Sequence, residues 1–257
     1  MGRVVAIANQ KGGVGKTTTA VNLAASLAAA EQRVLLVDMD AQGNASQGVG
    51  CGQGTTTQGT YQLMLREASV DDVLRHTELA TLDVIPATQD LAAVERELAD
   101  ADDSATRLRD ALRTVSERYD FVIVDCPPSL GTLTINALVA ADVVLVPMQC
   151  EYYALEGLSQ LVGTIERVRG SFNPTLAIDG VLLTMYDARN NLANEVAAEV
   201  RQHFHVYETV VPRNIRLAEA PSHGKPVILY DAASRGAFSY INLAREILDA
   251  MPQSVAS

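Results

Sequence analysis

A glycine-rich segment near the start of the chain, KGGVGKTT at residues 11–18, carries residue types that bind phosphate. It follows a short apolar run and precedes a helical pattern. The main-chain N–H groups of the loop and the positive end of the helix dipole would therefore point at one anion. Lys16 can reach the β- and γ-phosphates of a nucleotide, and the Thr17 hydroxyl can ligate Mg²⁺. The segment predicts a nucleotide-binding loop.

The loop departs from the common P-loop pattern at its first position, where Gln10 stands in place of glycine. Lys11 follows directly, so two lysines flank one phosphate site. A second cation beside the γ-phosphate would stabilise the charge that develops in phosphoryl transfer. A lone loop lysine is ordinarily a solvated side chain. Within KGGVGKTT, a catalytic role for Lys11 is the better interpretation.

Carboxylates follow two further apolar runs. Asp38 and Asp40 come at the end of the run 33–38, where they can hold metal-bound water or orient an attacking water. Asp125 ends the run FVIVD, a Walker B pattern whose aspartate holds Mg²⁺, often through water. Ligands of doubly wound sheets bind beyond the carboxyl ends of the strands. These side chains are therefore expected near the phosphate loop.

The apolar runs alternate with helical patterns along the whole chain. Short runs rich in Val, Ile and Leu predict buried parallel strands at 3–9, 33–38, 82–86, 120–125, 142–147, 178–185 and 206–211. Helical periodicity occurs at 16–30, 88–98, 104–118, 131–140, 154–169, 191–203 and 234–250. This alternation predicts an α/β fold, with a doubly wound, mainly parallel sheet flanked by helices and residues 1–257 forming a single domain. The polar, glycine-rich stretch 43–59 predicts a mobile surface loop.

Composition excludes several classes of protein. The apolar content of 48% and charged content of 20% are typical of globular proteins, and no apolar run is long enough for a transmembrane helix. Three cysteines without CxxC spacing predict free thiols in a reducing cytoplasm. The net charge of −11 is uneven, because residues 1–180 carry −10 and residues 181–257 carry only −1. A basic patch is therefore expected only in the C-terminal third.

The chain resembles the ParA/Soj family of chromosome- and plasmid-partitioning ATPases, which have a deviant Walker A loop. The resemblance spans about residues 3 to 250 and rests on blocks in the family's order, namely KGGVGKTT, DMDAQGN, VDCPPSLG, QCEYYALEG, LLTMYDAR and VPRNIRLAEAPSHGKP. It implies an ATPase that is slow without its partner, with ATP and Mg²⁺ as cofactors. It implies Lys11, Lys16 and Asp40 as catalytic residues, and Thr17 and Asp125 at the metal. The implied nucleotide-binding residues are Lys11, Gly12, Gly13, Val14, Gly15, Lys16, Thr17, Thr18, Glu151, Pro212 and Arg213.

The resemblance also assigns residues to a homodimer that forms when ATP is bound. Lys11 would cross to the partner's nucleotide, Gly12 would lie where two subunits approach closely, and Glu151 would contact the partner's ribose. Pro212 and Arg213 would line the adenine. One departure is Ala41, where the family has proline; the rest of that block is present.

DNA is the second implied partner. Arg189 and Arg216 match blocks whose arginines bind DNA without sequence preference in similar proteins, and Lys225 is a further candidate. Such binding is directed at phosphates and is salt-sensitive, so pairing two subunits would strengthen it. Arg213 and Arg235 complete the set of basic residues considered for DNA; Arg213 could serve the adenine instead, and Arg235 is interpreted as a solvated surface residue. The expected behaviour is a cytoplasmic, nucleoid-associated switch that a ParB-like centromere-binding protein stimulates, with no stable membrane binding.

Two other functions are weighed against this one. A MinD-like membrane-cycling ATPase would need a basic amphipathic C-terminal helix, whereas residues 240–251 are amphipathic but acidic. A redox protein like the nitrogenase iron protein would need cysteines placed to bridge an iron–sulfur cluster, and Cys126 and Cys150 do not match that family's cluster blocks. Liposome pelleting and the colour of the purified protein would discriminate.

Overall fold

The computed structural model describes residues 2–52 and 57–251. Eight strands form one sheet, with bounds β1 Arg3–Ile7, β2 Val34–Asp38, β3 Arg75–His76, β4 Leu82–Ile85, β5 Phe121–Asp125, β6 Val143–Gln149, β7 Ala177–Thr184 and β8 Val206–Val211. Their order is β3-β4-β2-β5-β1-β6-β7-β8. Among the strands of the described residues, the short edge strand β3 alone is antiparallel to its neighbour. The predicted fold class, a doubly wound and mainly parallel sheet, is confirmed.

Helices connect the strands and cover both faces of the sheet. Their bounds are α1 Lys16–Ala29, α2 Asn44–Gly48, α3 Thr60–Leu65, α4 Val70–Val73, α5 Val94–Glu97, α6 Arg107–Arg113, α7 Thr132–Ala140, α8 Ala154–Ser171, α9 Asn191–His203, α10 Ile215–Glu219, α11 Val227–Tyr230 and α12 Arg235–Asp249. Two short 3₁₀ segments lie at Gln89–Ala93 and Ala220–His223.

The central strands are apolar throughout because each of their faces meets a separate hydrophobic layer. In β1, Val4 and Ala6 join one core cluster, whereas Val5 and Ile7 join the other. This alternation follows from the period of two residues in a strand. The second cluster contains the packed pair α1 and α12, with Leu23 of α1 and Tyr240 of α12 both buried. Helices α7 and α8 belong to the first cluster.

The parallel arrangement brings the carboxyl ends of the central strands to one edge of the sheet. Ile7 at the end of β1 and Asp38 at the end of β2 both stand in register with Asp125 at the end of β5. The loop 8–15 leaves β1 at the same edge and enters α1. The fold therefore places the phosphate loop and two aspartates next to one another, as expected of such sheets.

The predicted surface loop at 43–59 is wrong in part. Residues 44–48 form α2, and Ala45, Ser46 and Gly48 in it are buried. The helix forms there because Ser46 is anchored to the buried Asp38 side chain, a long-range contact that polar composition does not reveal. Residues 53–56 lie outside the described part of the chain. The predicted helix 104–118 is also shorter than expected, and 88–98 is a 3₁₀ segment followed by α5.

Candidate functional site

The phosphate loop turns tightly before α1 because two of its glycines adopt positive φ. Gly13 has φ of 74° and Gly15 has φ of 90°, values that L side chains rarely adopt. A Cβ on Gly12 or Gly13 would meet no heavy atom within 4 Å, so both face open space where a ligand or a second chain can approach. The Val14 side chain is buried, and its carbonyl oxygen accepts a hydrogen bond from Thr184 Oγ1 at 2.7 Å. This bond ties the loop to the end of β7.

Lys16 is the first residue of α1 and is buried, with 7% of its surface exposed. Its Nζ donates to the Lys11 carbonyl oxygen at 3.1 Å. Burial lowers the pKa of the Lys16 ammonium, and the neighbouring charge of Asp125 opposes that effect. A cation held with few partners in a low-dielectric site is arranged to bind phosphate oxygens.

Lys11 points to a different group. Its N–H donates to Asn9 Oδ1 at 3.0 Å, and Asn9 in turn donates to the Pro147 carbonyl oxygen at 2.8 Å. The Lys11 ammonium forms an ion pair with Glu151 at 2.5 Å. Two residues predicted to act on a partner's nucleotide therefore contact each other within one chain.

The three aspartates occupy different environments. Asp38 is fully buried and accepts hydrogen bonds from Ser46 N, Ser46 Oγ and Asp40 N at 2.8, 2.7 and 3.1 Å. Burial raises its pKa to about 6 despite these bonds. Asp40 is partly exposed and lies on the wall of the main cavity. Asp38 therefore shapes the turn, whereas Asp40, whose Oδ1 accepts a hydrogen bond from Gln42 N at 3.0 Å, faces the cavity.

Asp125 is the buried group that most needs a ligand. It is fully buried, and within residues 2–52 and 57–251 neither carboxylate oxygen makes a hydrogen bond of ordinary geometry. Burial raises its pKa well above the usual value and the charge of Asp38 adds to the shift, whereas the nearby Thr17 hydroxyl opposes it. A buried carboxylate with so few partners is costly unless a cation neutralises it. It fits Mg²⁺, which is bound by one or two protein oxygens together with waters and phosphates. The Thr17 hydroxyl, in the first turn of α1, is the second protein oxygen that fits this ion.

The main cavity encloses 730 Å³ between the phosphate loop and the segment after β8. Of the residues predicted to bind nucleotide, eight line it: Gly12, Gly13, Gly15, Lys16, Thr17, Thr18, Pro212 and Arg213. Asp40, predicted to be catalytic, lines it as well. Lys11, Val14 and Glu151 are not among the lining residues. The volume suits a nucleotide-sized ligand.

Several wall residues escaped prediction from sequence. Met185, Leu217 and Tyr240 form an apolar part of the wall, and Tyr240 Oη lies 3.2 Å from Thr19 Oγ1. Met185 adopts φ of 50°, a left-handed conformation that is uncommon for a residue with a side chain. Tyr240 was unpredictable because α12 reaches the cavity only through its packing against α1. Asn214 lines the cavity and caps α10. Its position directly after Pro212 and Arg213 in the PRNIRL block is the sequence signal that could have identified it.

Of the three residues predicted to bind DNA, Arg189 and Arg216 are exposed and Lys225 is partly exposed, and each carries an ion pair. Arg189 binds both oxygens of Asp187 and lowers the pKa of that carboxyl to about 2. Arg216 contacts Glu219 at 2.8 Å and Asp231 at 3.1 Å. Lys225 lies 3.1 Å from Glu78. Their charges are therefore partly neutralised within the chain itself, a property that sequence position could not reveal.

The sheet order, the phosphate loop with two lysines and the unpartnered aspartate behind it define a P-loop ATPase with a deviant Walker A loop. A family model described as an AAA domain matches residues 2–178. The chain is 57% identical to the chromosome partitioning protein ParA of Myxococcus xanthus, covering 96% of this chain and 88% of that protein. It is 56% identical to the sporulation initiation inhibitor protein Soj of Bacillus subtilis, covering 96% and 98%.

A solved structure extends the comparison. Cobyrinic acid a,c-diamide synthase from Mycobacterium smegmatis, with bound ATP analog and magnesium, is 34% identical with a TM-score of 0.86, covering 96% of this chain and 94% of that one. The chain belongs to the ParA/Soj family of chromosome-partitioning ATPases. The predicted family and the predicted ATPase activity are confirmed.

Proposed function

We propose that residues 1–257 act as one ATPase domain that switches DNA binding on and off during chromosome or plasmid segregation. ATP joins two subunits face to face, the dimer binds DNA without sequence preference, and hydrolysis stimulated by a ParB-like centromere-binding protein releases it. The observation that carries this proposal is the direction of Lys11. Its ammonium is held by Glu151 rather than by the wall of its own nucleotide cavity. A lysine in that position is available to a second subunit's nucleotide.

The roles of the remaining side chains follow from their positions. Lys16 binds the β- and γ-phosphates from the first turn of α1, where the helix dipole assists it. Thr17 and Asp125 would hold an Mg²⁺ ion, which would supply neutralisation of phosphate charge when bound. Asp40, on the cavity wall and partly exposed, orients the attacking water. Pro212 and Arg213 flank the base at the other end of the cavity.

In the proposed dimer, the Lys11 and Glu151 side chains would contact new partners. In the dimer the Lys11 ammonium would exchange the Glu151 carboxylate for phosphate oxygens of the partner's ATP. Glu151 would then be released to bind that nucleotide's ribose. Because hydrolysis needs a lysine from each subunit, turnover stays slow in the monomer.

The experiment is to compare Lys11→Ala and Asp40→Ala with the unmodified protein in ATP and Mg²⁺. Light scattering after size-exclusion chromatography reports the dimer, and phosphate release reports hydrolysis. We expect Asp40→Ala to accumulate as an ATP-bound dimer that does not turn over, and Lys11→Ala to lose hydrolysis. Unchanged turnover in Lys11→Ala would contradict the proposal. Stimulation of the unmodified protein by a ParB-like partner with DNA tests the release step.

We also propose that the protein does not bind membranes stably. Within residues 2–52 and 57–251, no helix has the length and apolarity needed to cross a bilayer. Helix α12 is strongly amphipathic but carries two acidic residues, Glu246 and Asp249, against two arginines. A surface-binding helix would be expected to be basic. Pelleting with anionic vesicles in ATP tests this, and co-sedimentation would favour the MinD-like alternative.

A further inference from the structure

A second cavity adjoins the nucleotide cavity and is rich in arginine. It encloses 540 Å³ and shares Met185, Pro212 and Arg213 with the nucleotide cavity. Arg189 and Arg235 also line it, so three arginines from three separate segments of the chain converge. We call it the arginine groove. Arg235, which sequence position alone presents as an ordinary solvated residue, is thus grouped with Arg189.

The arginine groove holds positive charge that the chain does not neutralise. Arg189 is paired with Asp187, and the acidic wall residue Glu151 is paired with Lys11. Arg213 and Arg235 are exposed, and neither guanidinium has an ion pair or hydrogen bond within the described residues. Two guanidinium groups therefore remain available for an anion after every internal pair of the groove is counted.

Helix placement adds to this charge. Arg235 is the first residue of the 15-residue helix α12, where the positive end of the helix dipole makes a cation unfavourable. Asn190, the N-cap of the 13-residue helix α9, lines the same groove. The two positive helix ends and the two unpaired arginines all favour a bound anion in the groove.

We propose that the arginine groove binds a phosphate of the DNA backbone and that Arg235 is its main side-chain contact. The inference rests on the proposed DNA binding and names a residue for it. A planar guanidinium contacts phosphate oxygens in bidentate fashion. Arg213, shared by both cavities, lies between this phosphate and the nucleotide. It is less suitable as a test, because its replacement would change nucleotide binding as well.

The test uses the full chain carrying Asp40→Ala, loaded with ATP and Mg²⁺, and a fluorescent DNA duplex of arbitrary sequence. Anisotropy is measured over a salt series. Adding Arg235→Gln should weaken binding and reduce the slope of log K against log salt by about 0.9 for each lost contact, or about 1.8 for a dimer. Arg235→Lys should keep most of the slope. Arg245→Gln is the matched control, because Arg245 is exposed and unpaired on the same helix and does not line the groove.

Folding is checked by thermal unfolding. Arg235→Gln should be at least as stable as its parent, because it removes a cation from a helix N-terminus. A DNA defect at unchanged unfolding temperature would support the proposal. If the parent binds DNA well and the DNA affinity of Arg235→Gln equals that of Arg245→Gln, the groove inference fails. The proposed function is not contradicted by that result.

Two further outcomes overturn the inference in distinguishable ways. If the ATP-loaded parent does not bind DNA under any salt condition, the proposed DNA switch fails and the groove inference fails with it. If inorganic phosphate raises the unfolding temperature of the nucleotide-loaded parent but not of Arg235→Gln, while both bind DNA equally, the groove is a small-anion site. In that case its ligand is free phosphate and not the DNA backbone.

Discussion

The nucleotide cavity and the arginine-bearing surface differ in how their charged side chains are buried and partnered. Lys16 lines the cavity and is buried with one hydrogen-bond partner, and the buried Asp125 stands at the end of the neighbouring strand β5, so a ligand meets polar groups that are already desolvated. On the surface, Arg189 and Arg216 are exposed and already bound to the chain's own carboxylates. A ligand there must compete with internal ion pairs of small individual strength.

The contrast explains why the two sites should respond differently to mutation and to salt. Each group of the cavity is close to indispensable, because a low-dielectric site magnifies its interaction with phosphate. The proposed DNA binding at the surface would be a sum over many weak contacts that ions screen over roughly 8 Å at physiological salt. In the proposed dimer, doubling the number of contacts would then matter more than any single arginine.

The largest effect is expected for Lys16→Ala. It removes the buried cation that we propose binds the β- and γ-phosphates, and we expect hydrolysis to fall by about 10²–10³-fold, as for loss of a preorganised donor. Phosphate release under saturating ATP measures this, with nucleotide affinity followed by calorimetry. Arg245→Ala, which removes an equal charge from an exposed and unpaired position, should leave turnover unchanged. Equal turnover of Lys16→Ala and the unmodified protein would show that hydrolysis does not need the buried Lys16. It would contradict the view that each group of the cavity is close to indispensable.

The second effect concerns the stability of the ligand-free protein. Asp38 and Asp125 have raised pKa values in the fold, so the folded state holds protons that the unfolded state releases. Their ionisation therefore destabilises the fold as pH rises from about 4 through the Asp38 pKa of about 6. Asp125→Asn should raise the free energy of unfolding at pH 7.5, by on the order of 1–3 kcal/mol.

Thermal or urea unfolding without nucleotide and Mg²⁺ measures this difference. It should shrink as the pH is lowered to 4, because Asp125 in the unmodified protein is then neutral in the fold. Asp249→Asn, an exposed and unpaired site at the end of α12, is the control and should change little. Lower stability of Asp125→Asn at pH 7.5 would mean that the contacts of the carboxylate with Thr17 and Lys16 outweigh the cost of burying its charge, and would contradict this prediction. Hydrolysis by Asp125→Asn should be lost in either case.

The difference between the two regions also explains what the sequence could predict. Lys16, Thr17 and Asp125 were predictable because their positions depend on local spacing and on strand ends that a parallel sheet aligns. Tyr240 reaches the same cavity only through packing between α1 and α12, and no local pattern encodes that. The ion pair between Arg216 and Asp231 likewise joins residues whose proximity depends on how the segment after β8 folds. Sequence thus predicted the side chains set by strand order and missed those set by helix packing.

The smallest effect is the most specific test of the surface, because it should increase binding. Asp187 neutralises Arg189 through two hydrogen bonds, and Asp187→Asn would free that guanidinium for a DNA phosphate. Exposed ion pairs contribute roughly 0.2–1 kcal/mol, so we expect DNA affinity to rise by about 1.4- to 5-fold at low salt. The gain should vanish at high salt as screening takes over.

Asp249→Asn is the control, because it changes the net charge by the same amount without removing the partner of an arginine. It separates the release of Arg189 from the general effect of net charge on DNA affinity. Arg189→Gln should abolish the gain from Asp187→Asn if the freed guanidinium is its cause, whereas two independent effects would add. Anisotropy of the ATP-loaded Asp40→Ala dimer on a DNA duplex measures all four combinations. If Asp187→Asn and Asp249→Asn strengthen binding equally, Arg189 contributes only to the overall field. DNA affinity would then not depend on Arg189 as a single residue, whereas hydrolysis is expected to depend on the single residue Lys16.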